Sequence, residues 1–382
     1  MSETPPSISI PADLLPADGR FASGPSKVRP EAVAGLSAIA GDYLGTSHRK
    51  PAVKQMVGRL RDGLSELFSL PDDWEVVLGN GGTTAFWDAA TFGLIEARSL
   101  HLSFGEFSSK FAKGVAAAPF LADPVIVATE MGDRPDVDPA SLGRDNVDLY
   151  AFTHNETSTG VSQPLLRPTG GNPDAIVAVD ATSAAGAIEF DPAEVDCYYF
   201  APQKAFGSDG GLWIALCSPK AQERIKALAA GPRWIPDFLS LGIALDNSTK
   251  NQTYNTPALA TIYLTVDTVE WFNANGGLSW SAGRSAELSG IVYDWAEAHD
   301  LATPFVADTS KRSPVVATID FDDSVAVDDI AAALRANGIL DTEGYRKLGR
   351  NQLRIACFPA IEPDDMRQLT KSIDHVLAQL TQ

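Results

Sequence analysis

Short apolar runs bounded by turn residues alternate with helix-like segments along most of the chain. Seven of these runs predict strands, at residues 74–78, 99–103, 124–128, 149–153, 175–180, 196–201 and 211–217. Most are continuously apolar, which is typical of strands buried on both faces of a mostly parallel sheet. Helix-like patterns at 84–97 and 108–118 lie between them, so the sequence predicts a large α/β domain.

The pattern changes after residue 257, where a long amphipathic stretch, 258–275, begins. Pro257 suits the first turn of a helix, and the two glycines at 276 and 277 suit its end. A helix at 282–299, a strand at 314–321, a helix at 327–337, a strand at 352–358 and a helix at 362–380 are predicted beyond it. We therefore expect an N-terminal extended arm (1–20), a large α/β domain (21–265) and a small C-terminal α+β domain (266–382).

Charge and cysteine usage narrow the classes of protein that fit. Among 382 residues, 30 Lys and Arg stand against 49 Asp and Glu, so the net charge is −19. This charge argues against nucleic acid or an anionic membrane as the main partner. The three cysteines lie far apart in apolar stretches, so we expect buried thiols and neither a zinc site nor disulfides. The sequence lacks a signal-peptide pattern and an apolar run of ~18 residues, so we expect a cytoplasmic protein.

Two potential catalytic side chains stand near the ends of predicted strands. Asp180 ends the strand at 175–180, and Lys204 follows the strand at 196–201. In a parallel sheet, ligands gather outside the carboxyl ends of the strands. A partly desolvated lysine can form a Schiff base, and a carboxylate can keep a pyridine nitrogen protonated, as pyridoxal phosphate requires. On spacing alone, however, a turn-forming Asp and a solvated Lys remain the commoner interpretation.

A glycine-rich turn, residues 79–84, follows one predicted strand and opens a helix. Its backbone N–H groups and the hydroxyl groups of Thr83 and Thr84 could bind an anion at the positive end of the helix dipole. It lacks the spacing of a Walker A loop and of a dinucleotide-binding G-x-G-x-x-G loop. By itself, the turn also fits a simple helix cap.

Six spaced motifs together resemble the phosphoserine aminotransferase family, a class V group of the fold-type I pyridoxal-phosphate enzymes. They are SGPSKV (23–28), GTSHRK (45–50), HNETSTG (154–160), VDATSAAG (179–186), FAPQKAFGSDGG (200–211) and QTYNTPA (252–258). The resemblance spans about residues 20–380. It implies a large domain with a mostly parallel seven-stranded sheet, a small C-terminal α+β domain, pyridoxal 5′-phosphate as cofactor, and a homodimer with shared active sites.

The resemblance also implies roles for residues around the reactive part of the cofactor. Lys204 is expected to hold the cofactor as a Schiff base and to shuttle a proton. Asp180 is expected to pair with the pyridine nitrogen. Thr157 is expected to donate to the phenolic oxygen, and Phe107 to stack on the ring.

Further residues match positions that bind the cofactor's phosphate in the family. Thr83, Thr84 and Gln203 are expected to bind it within one subunit. Asn255 and Thr256 are expected to reach the phosphate in the neighbouring subunit. The homodimer would then be part of the site.

Cationic residues point to the substrate. Arginine binds carboxylates and phosphates with two parallel hydrogen bonds, which suits a substrate with an anion at each end. By resemblance, Arg354 would bind the α-carboxylate, and Arg346 with the neighbouring subunit's His48 and Arg49 would bind the distal anion. Tyr345 replaces a histidine of many members. The expected reaction is ping-pong transamination of 3-phosphohydroxypyruvate with L-glutamate, a step of L-serine biosynthesis.

Other functions remain open at this stage. Another class V aminotransferase, of the alanine or serine–glyoxylate type, would have less use for distal cations. A cysteine desulfurase needs an exposed nucleophilic cysteine, whereas the cysteines here lie in apolar stretches. A non-catalytic phosphate-binding α/β protein would need only the glycine-rich turn.

Overall fold

A computed structural model describes residues 8–136 and 138–381, and residues 1–7 of the predicted arm lie outside this range. The helices are α1 (Pro30–Tyr43), α2 (Pro51–Leu67), α3 (Thr83–Gly93), α4 (Glu106–Ala116), α5 (Pro139–Leu142), α6 (Pro219–Ala229), α7 (Leu241–Ser248), α8 (Leu259–Ala274), α9 (Gly277–Ala298), α10 (Val327–Ala336) and α11 (Pro363–Leu380). The strands are β1 (Glu75–Asn80), β2 (Ser99–Ser103), β3 (Val125–Ala128), β4 (Leu149–Thr153), β5 (Asn155–Glu156), β6 (Val161–Ser162), β7 (Ile176–Asp180), β8 (Cys197–Phe200), β9 (Leu212–Cys217), β10 (Ala302–Pro304), β11 (Val316–Phe321) and β12 (Gln352–Ala356).

The seven predicted strands form one sheet in the order β1-β9-β8-β7-β4-β2-β3. The five strands β3, β2, β4, β7 and β8 are parallel. Strand β9 is antiparallel to both β8 and β1, so β1 runs in the same direction as the parallel strands. The prediction of a mostly parallel seven-stranded sheet is confirmed.

Burial on both faces explains the continuous apolar runs. Tyr198 and Tyr199 are successive residues of β8 that belong to hydrophobic clusters on opposite faces of the sheet, and both are fully buried. Strand β3 lies at the edge and alternates between intermediate and exposed positions, with Ile126 50% exposed. Helices therefore cover both faces of the centre of the sheet, as expected of an α/β layer structure.

A second, antiparallel sheet, β10-β11-β12, packs against α9, α10 and α11 around its own hydrophobic cluster. Ile10 and Phe21, from the beginning of the chain, belong to the same cluster. The described part of the predicted extended arm contains one 3-10 turn, Ala12–Leu14. Residues of α8 after the predicted boundary at 265, such as Phe272, pack against the large sheet. The domain boundaries stay a prediction.

Most predicted helices lie within two residues of their observed ends, and two differ by more. Helix α3 ends at Gly93 rather than 97, because the carboxylate of Asp148 accepts the backbone N–H groups of residues 96–98 and holds that segment outside the helix. Helix α9 begins at Gly277 rather than 282, directly after Gly276 in a left-handed conformation. Within the described ranges, no helix combines the length and apolar character needed to cross a membrane.

Candidate active site

The carboxyl ends of five strands meet at one edge of the large sheet and carry the predicted cofactor residues. Strand β1 leads to Thr83, β2 to Phe107, β4 to Thr157, β7 ends in Asp180, and β8 leads to Lys204. All five strands run in the same direction, so the loops after them lie on the same side. This edge is where open α/β sheets bind their ligands.

These loops enclose a cavity of about 410 Å³, a size that suits a small molecule. Seven of the nine predicted cofactor-binding residues line it: Thr83, Thr84, Phe107, Thr157, Asp180, Gln203 and Lys204. The lining also includes Gly82 of the glycine-rich turn and further residues without a predicted role: Gly24, Pro25, Trp87, Thr153, Asn155, Thr182, Asp209 and Gly210. The structure therefore brings the predicted residues together and adds an N-terminal loop to them.

Asp180 is a buried carboxylate held by donors on both oxygens. The indole Nε1 of Trp87 donates to Oδ2 at 3.0 Å, and the backbone N–H and hydroxyl group of Thr182 donate to Oδ1 at 2.9 and 2.6 Å. Burial raises the pKa of Asp180 to about 6, and these donors oppose the rise. The carboxylate is thus fixed in orientation and is mostly ionised at neutral pH. Trp87 was missed because it lies in an apolar helical stretch that resembles core.

Lys204 is partly buried, and its Nζ donates to the backbone carbonyl of Ser23 at 2.5 Å. Burial lowers the pKa of Lys204 to about 7, and the positive charge of Arg354 lowers it further, against the opposing effect of Asp180. A substantial fraction of the amine is therefore unprotonated and nucleophilic at neutral pH. This environment agrees with the one predicted from the apolar strand that precedes it.

The SGPSKV segment forms a cover over Lys204. A Cβ atom on Gly24 would lie 2.5 Å from Cδ and Cε and 2.6 Å from Nζ of Lys204, so the loop contacts the lysine along its length. Ser26 fixes the loop through two hydrogen bonds. Its backbone N–H donates to the carbonyl oxygen of Gln203 at 3.0 Å, and its hydroxyl group donates to the backbone carbonyl oxygen of Lys204. The sequence singled out this segment only as one of the family motifs and did not indicate the contact with Lys204.

Thr157 is held in place by Ser183. Its hydroxyl group and the amide of Asn155 both donate to the Ser183 Oγ at 2.8 Å, and the Ser183 hydroxyl group donates to the carbonyl of Asn155 at 3.1 Å. The Oδ1 of Asn155 and the Oε1 of Gln203 are buried without a hydrogen-bond partner within the described residues. Buried polar atoms of this kind are normally paired, so a polar ligand in the cavity would satisfy them.

Glu156 fixes the helix that carries Phe107. Its fully buried carboxylate accepts the backbone N–H groups of Phe107 and Ser108 at 3.1 and 2.9 Å, at the start of α4. It also accepts the Ser158 hydroxyl group at 2.6 Å. A carboxylate in this position satisfies the free N–H groups of a helix N-terminus and suits its dipole. Glu156 had no predicted role, because a short-range pattern does not reveal a cap supplied by a side chain 48 positions further along the chain.

Arg354 lies beside Thr157, outside the lining of the cavity. Its Nη1 contacts the Thr157 carbonyl at 3.4 Å, and its Cζ stands 5.3 Å from the ring centroid of Tyr345. Its Nε is buried without a hydrogen-bond partner, and it has no carboxylate partner in the described part of the chain. Burial lowers the pKa of Arg354. A partly buried, unpaired guanidinium group is a suitable receptor for an anionic ligand.

Four other predicted residues form a separate group within this chain. The imidazole Nδ1 of His48 lies 3.2 Å from the Thr256 hydroxyl group, and Arg49 donates to Gln252 at 2.6 Å. Asn255 and Thr256 are exposed. In the part of the chain that the structure describes, the lining of the cavity around Lys204 includes none of these four residues. Such a position fits residues predicted to serve a neighbouring subunit, and that role stays a prediction.

The loop that follows Tyr345 differs from the cavity residues in exposure. Arg346 begins a 3-10 turn, Arg346–Leu348, and its side chain is exposed. Arg350 forms an ion pair with Asp320 and lies over the ring of Phe305, 4.4 Å from its centroid. The structure therefore gives Arg350 a partner outside the cavity, whereas the role of Arg346 stays a prediction.

The residues at this edge fit pyridoxal phosphate. The cavity combines an amine with lowered pKa, a fixed buried carboxylate, a half-buried aromatic ring at Phe107 and the N-terminus of α3 at Thr83. Gly82 precedes α3 in an extended conformation, and a Cβ atom there would meet no atom within 4 Å, which leaves room at the N–H groups. These are the groups that must respectively hold the aldehyde, the pyridine nitrogen, the ring face and the phosphate.

Comparisons with known proteins show the family. The aminotransferase class-V family model matches residues 21–347. Proteins described as phosphoserine aminotransferase from Rhodococcus jostii and Rhodococcus opacus are each 57% identical over 380 residues, covering 100% of both chains. A crystal structure of a phosphoserine aminotransferase from Cytophaga hutchinsonii superposes with a TM-score of 0.85 at 24% identity, covering 94% of this chain and 99% of that one. This structural likeness shows the fold.

Proposed function

The chain belongs to the aminotransferase class-V family, and from that premise we propose that it transfers the amino group of L-glutamate to 3-phosphohydroxypyruvate, giving O-phospho-L-serine and 2-oxoglutarate. The observation that carries the proposal is that Lys204 and Asp180 line one cavity, while Arg354, which has no carboxylate partner among the described residues, is near enough for its charge to lower the pKa of Lys204. We propose that this is a cytoplasmic enzyme of L-serine biosynthesis.

Lys204 holds the cofactor and moves protons in this proposal. Pyridoxal phosphate, when bound, supplies an aldehyde that condenses with amines and a protonated ring that takes up the electron pair left when the Cα–H bond breaks. With a pKa of about 7, the Lys204 amine is available as the nucleophile. Once released by an incoming amino acid, the same amine takes the Cα proton of glutamate as general base.

Asp180 holds a proton on the ring nitrogen. Its pKa of about 6 keeps it mostly ionised at neutral pH, where it would accept a hydrogen bond from the protonated N1. The donors on its two oxygens keep it from rotating, so its orientation is set before the cofactor binds. Thr83, Thr84 and Gln203 are proposed to bind the phosphate, Thr157 the phenolic oxygen, and Phe107 the ring face.

Arg354 binds the α-carboxylate that all four substrates and products share. Its donors are not occupied by a carboxylate of the described chain, so they remain free for a two-point contact. The distal group is a carboxylate in glutamate and a phosphate in phosphohydroxypyruvate. Arg346, with His48 and Arg49 of a second subunit, is proposed to bind this distal anion in both half-reactions.

We propose a homodimer in which each subunit completes the other's site. Trp234, Phe238 and Tyr254 are 77%, 51% and 42% exposed, and Tyr254 directly precedes Asn255. Exposed aromatic groups beside residues predicted to reach a neighbouring cofactor suit an interface. We expect light scattering to give the dimer mass and Trp234→Glu to weaken the dimer, whereas a wild-type monomer with full activity would contradict the shared site.

A coupled assay for phosphoserine formation tests the substrate. The purified holoenzyme is given glutamate with either 3-phosphohydroxypyruvate or glyoxylate. We expect kcat/KM to be at least ~100-fold higher for phosphohydroxypyruvate, since the phosphate adds charge-assisted hydrogen bonds that glyoxylate lacks. A holoenzyme that aminates glyoxylate and forms no phosphoserine would instead be an aminotransferase of the alanine or serine–glyoxylate type. The relatives described as phosphoserine aminotransferase argue against that alternative.

A further inference from the structure

We propose that Tyr345 is a positioning residue for Arg354: the face of its ring holds the guanidinium group and leaves the N–H donors free for the substrate α-carboxylate. This inference rests on the proposed function, because it assumes that Arg354 binds that carboxylate. It assigns a role to a position where the chain departs from the histidine of many family members.

Arg354 lacks the kind of partner that other buried arginines of this chain have. Arg224, 8% exposed, pairs with Glu96 and Asp148, and Arg29 pairs with Asp267. Arg354, in contrast, has one long contact, at 3.4 Å to the Thr157 carbonyl, and the Tyr345 ring at 5.3 Å from its Cζ. Tyr345 therefore supplies the aromatic ring that faces this guanidinium group, and the buried carboxylate of Glu156 attracts the group without forming an ion pair with it.

A ring face stabilises the cation without using its donors. A carboxylate partner would occupy the N–H groups of Arg354 and would compete with the substrate. The negative face of an aromatic ring attracts the guanidinium group through its charge, and the in-plane N–H groups stay available. Tyr345 thus compensates part of the cost of burying Arg354 while preserving the receptor.

One contact of Tyr345 and one ion pair of its loop connect this segment to the start of α4. The Tyr345 ring centroid lies 5.8 Å from that of Phe107, at an interplanar angle of 58°. Two residues further on, Lys347 Nζ forms an ion pair with Glu106 Oε1 at 2.6 Å, and Glu106 directly precedes Phe107 at the start of α4. The Tyr345 loop is therefore tied to the same helix end that presents the proposed stacking ring.

The geometry predicts that the ring, and not the hydroxyl group, is required. In the holoenzyme, Tyr345→Phe is expected to keep KM for glutamate and phosphohydroxypyruvate within about twofold. Tyr345→Leu is expected to raise both KM values and the inhibition constant of glutarate by about 3- to 30-fold, the range of a cation–π contact. The kcat at saturating substrate is expected to stay within about twofold. The visible spectrum of the bound cofactor is expected to stay unchanged.

A matched control is available in two loops beside the small sheet, one after β10 and one before β12. The Cζ of Arg350 lies 4.4 Å from the ring centroid of Phe305. This contact also places an arginine over an aromatic ring, but it lies outside the cavity. Phe305→Leu is expected to leave the glutarate inhibition constant unchanged. If Tyr345→Leu does not fold, Tyr345→Met removes the ring face with a longer and more adaptable side chain and is measured in the same way.

The outcomes separate this inference from the proposed function. If Arg354→Met leaves the glutarate inhibition constant unchanged, the carboxylate role of Arg354 fails and the proposed function with it. If Arg354→Met weakens glutarate binding but Tyr345→Leu and Tyr345→Met do not, the role of Tyr345 is wrong and the function stands. In the Tyr345→Leu/Arg354→Met double variant we expect no further loss beyond Arg354→Met, and fully additive losses would overturn the inference.

Discussion

Gly24→Ala would push the proposed catalytic lysine out of position. The new Cβ atom would lie 2.5 Å from Cδ and Cε and 2.6 Å from Nζ of Lys204, and ordinary van der Waals contact begins at 3.4 Å. The amine would therefore have to move by about 1 Å, because the loop that carries Gly24 is fixed to the Gln203 and Lys204 carbonyls by Ser26.

The expected cost follows from that displacement. A misplacement of about 1 Å lowers the rate of an oriented reaction by about 10²-fold. The backbone adds a separate cost, since Gly24 has a φ of +119° and a side chain there is strained by about 1–3 kcal/mol. Gly170 is the matched control: its φ is +74°, and a Cβ atom there would meet nothing within 4 Å.

Single-turnover kinetics with glutamate and urea unfolding separate the two costs. We expect both Gly24→Ala and Gly170→Ala to lose about 1–3 kcal/mol of unfolding free energy. Only Gly24→Ala is expected to lose about 10²-fold in the single-turnover rate constant. A Gly24→Ala holoenzyme that reacts within about threefold of Gly170→Ala would refute the claim that this loop positions Lys204.

Three further predictions concern ionisable groups. Trp87→Phe removes a 3.0 Å donor to Asp180, so the pKa of that carboxyl group should rise by about 1–2 from about 6. The acid limb of cofactor affinity, measured by fluorescence titration of apoenzyme, should move to higher pH by the same amount. An unchanged acid limb would contradict this. In apoenzyme, acetic anhydride labelling of Lys204 should be half-maximal near pH 7, and labelling that rises only above pH 10 would argue against a lowered pKa. The side-chain hydrogen bond from Arg20 lowers the pKa of Asp18 from 3.8 to about 2. In urea unfolding, Asp18→Asn should therefore lower the free energy of unfolding by at most about 2 kcal/mol at pH 7, and by progressively less as the pH falls from about 5 to 2. A pH-independent loss would exclude this linkage.

The large sheet could be predicted because its strands carry their own signal. Runs such as Leu149–Thr153 are buried on both faces and are continuously apolar for that reason. The positions of Asp180 and Lys204 at strand ends followed from the same pattern, once a parallel sheet was assumed. The end of α3 could not be predicted, because Asp148, 50 to 52 residues away, holds the segment that would otherwise continue the helix.

The residues that support the predicted site were less visible in the sequence. Trp87 and Glu156 act through contacts 93 and 48 residues away along the chain, and no local periodicity encodes such a contact. The Ser23 carbonyl lies 181 residues from Lys204 in sequence. Motifs that resemble a family locate the residues with a chemical role. The residues that orient these side chains can be identified only in the folded chain.

The central claim is that Lys204 holds pyridoxal phosphate in the cavity at the carboxyl edge of the large sheet. Borohydride reduction of the purified holoenzyme, followed by peptide mass spectrometry, tests it directly. We expect loss of the visible absorbance band and one modified peptide, with the reduced cofactor's mass on Lys204. Modification of a different lysine, or a cofactor-loaded protein without any modified lysine, would contradict it.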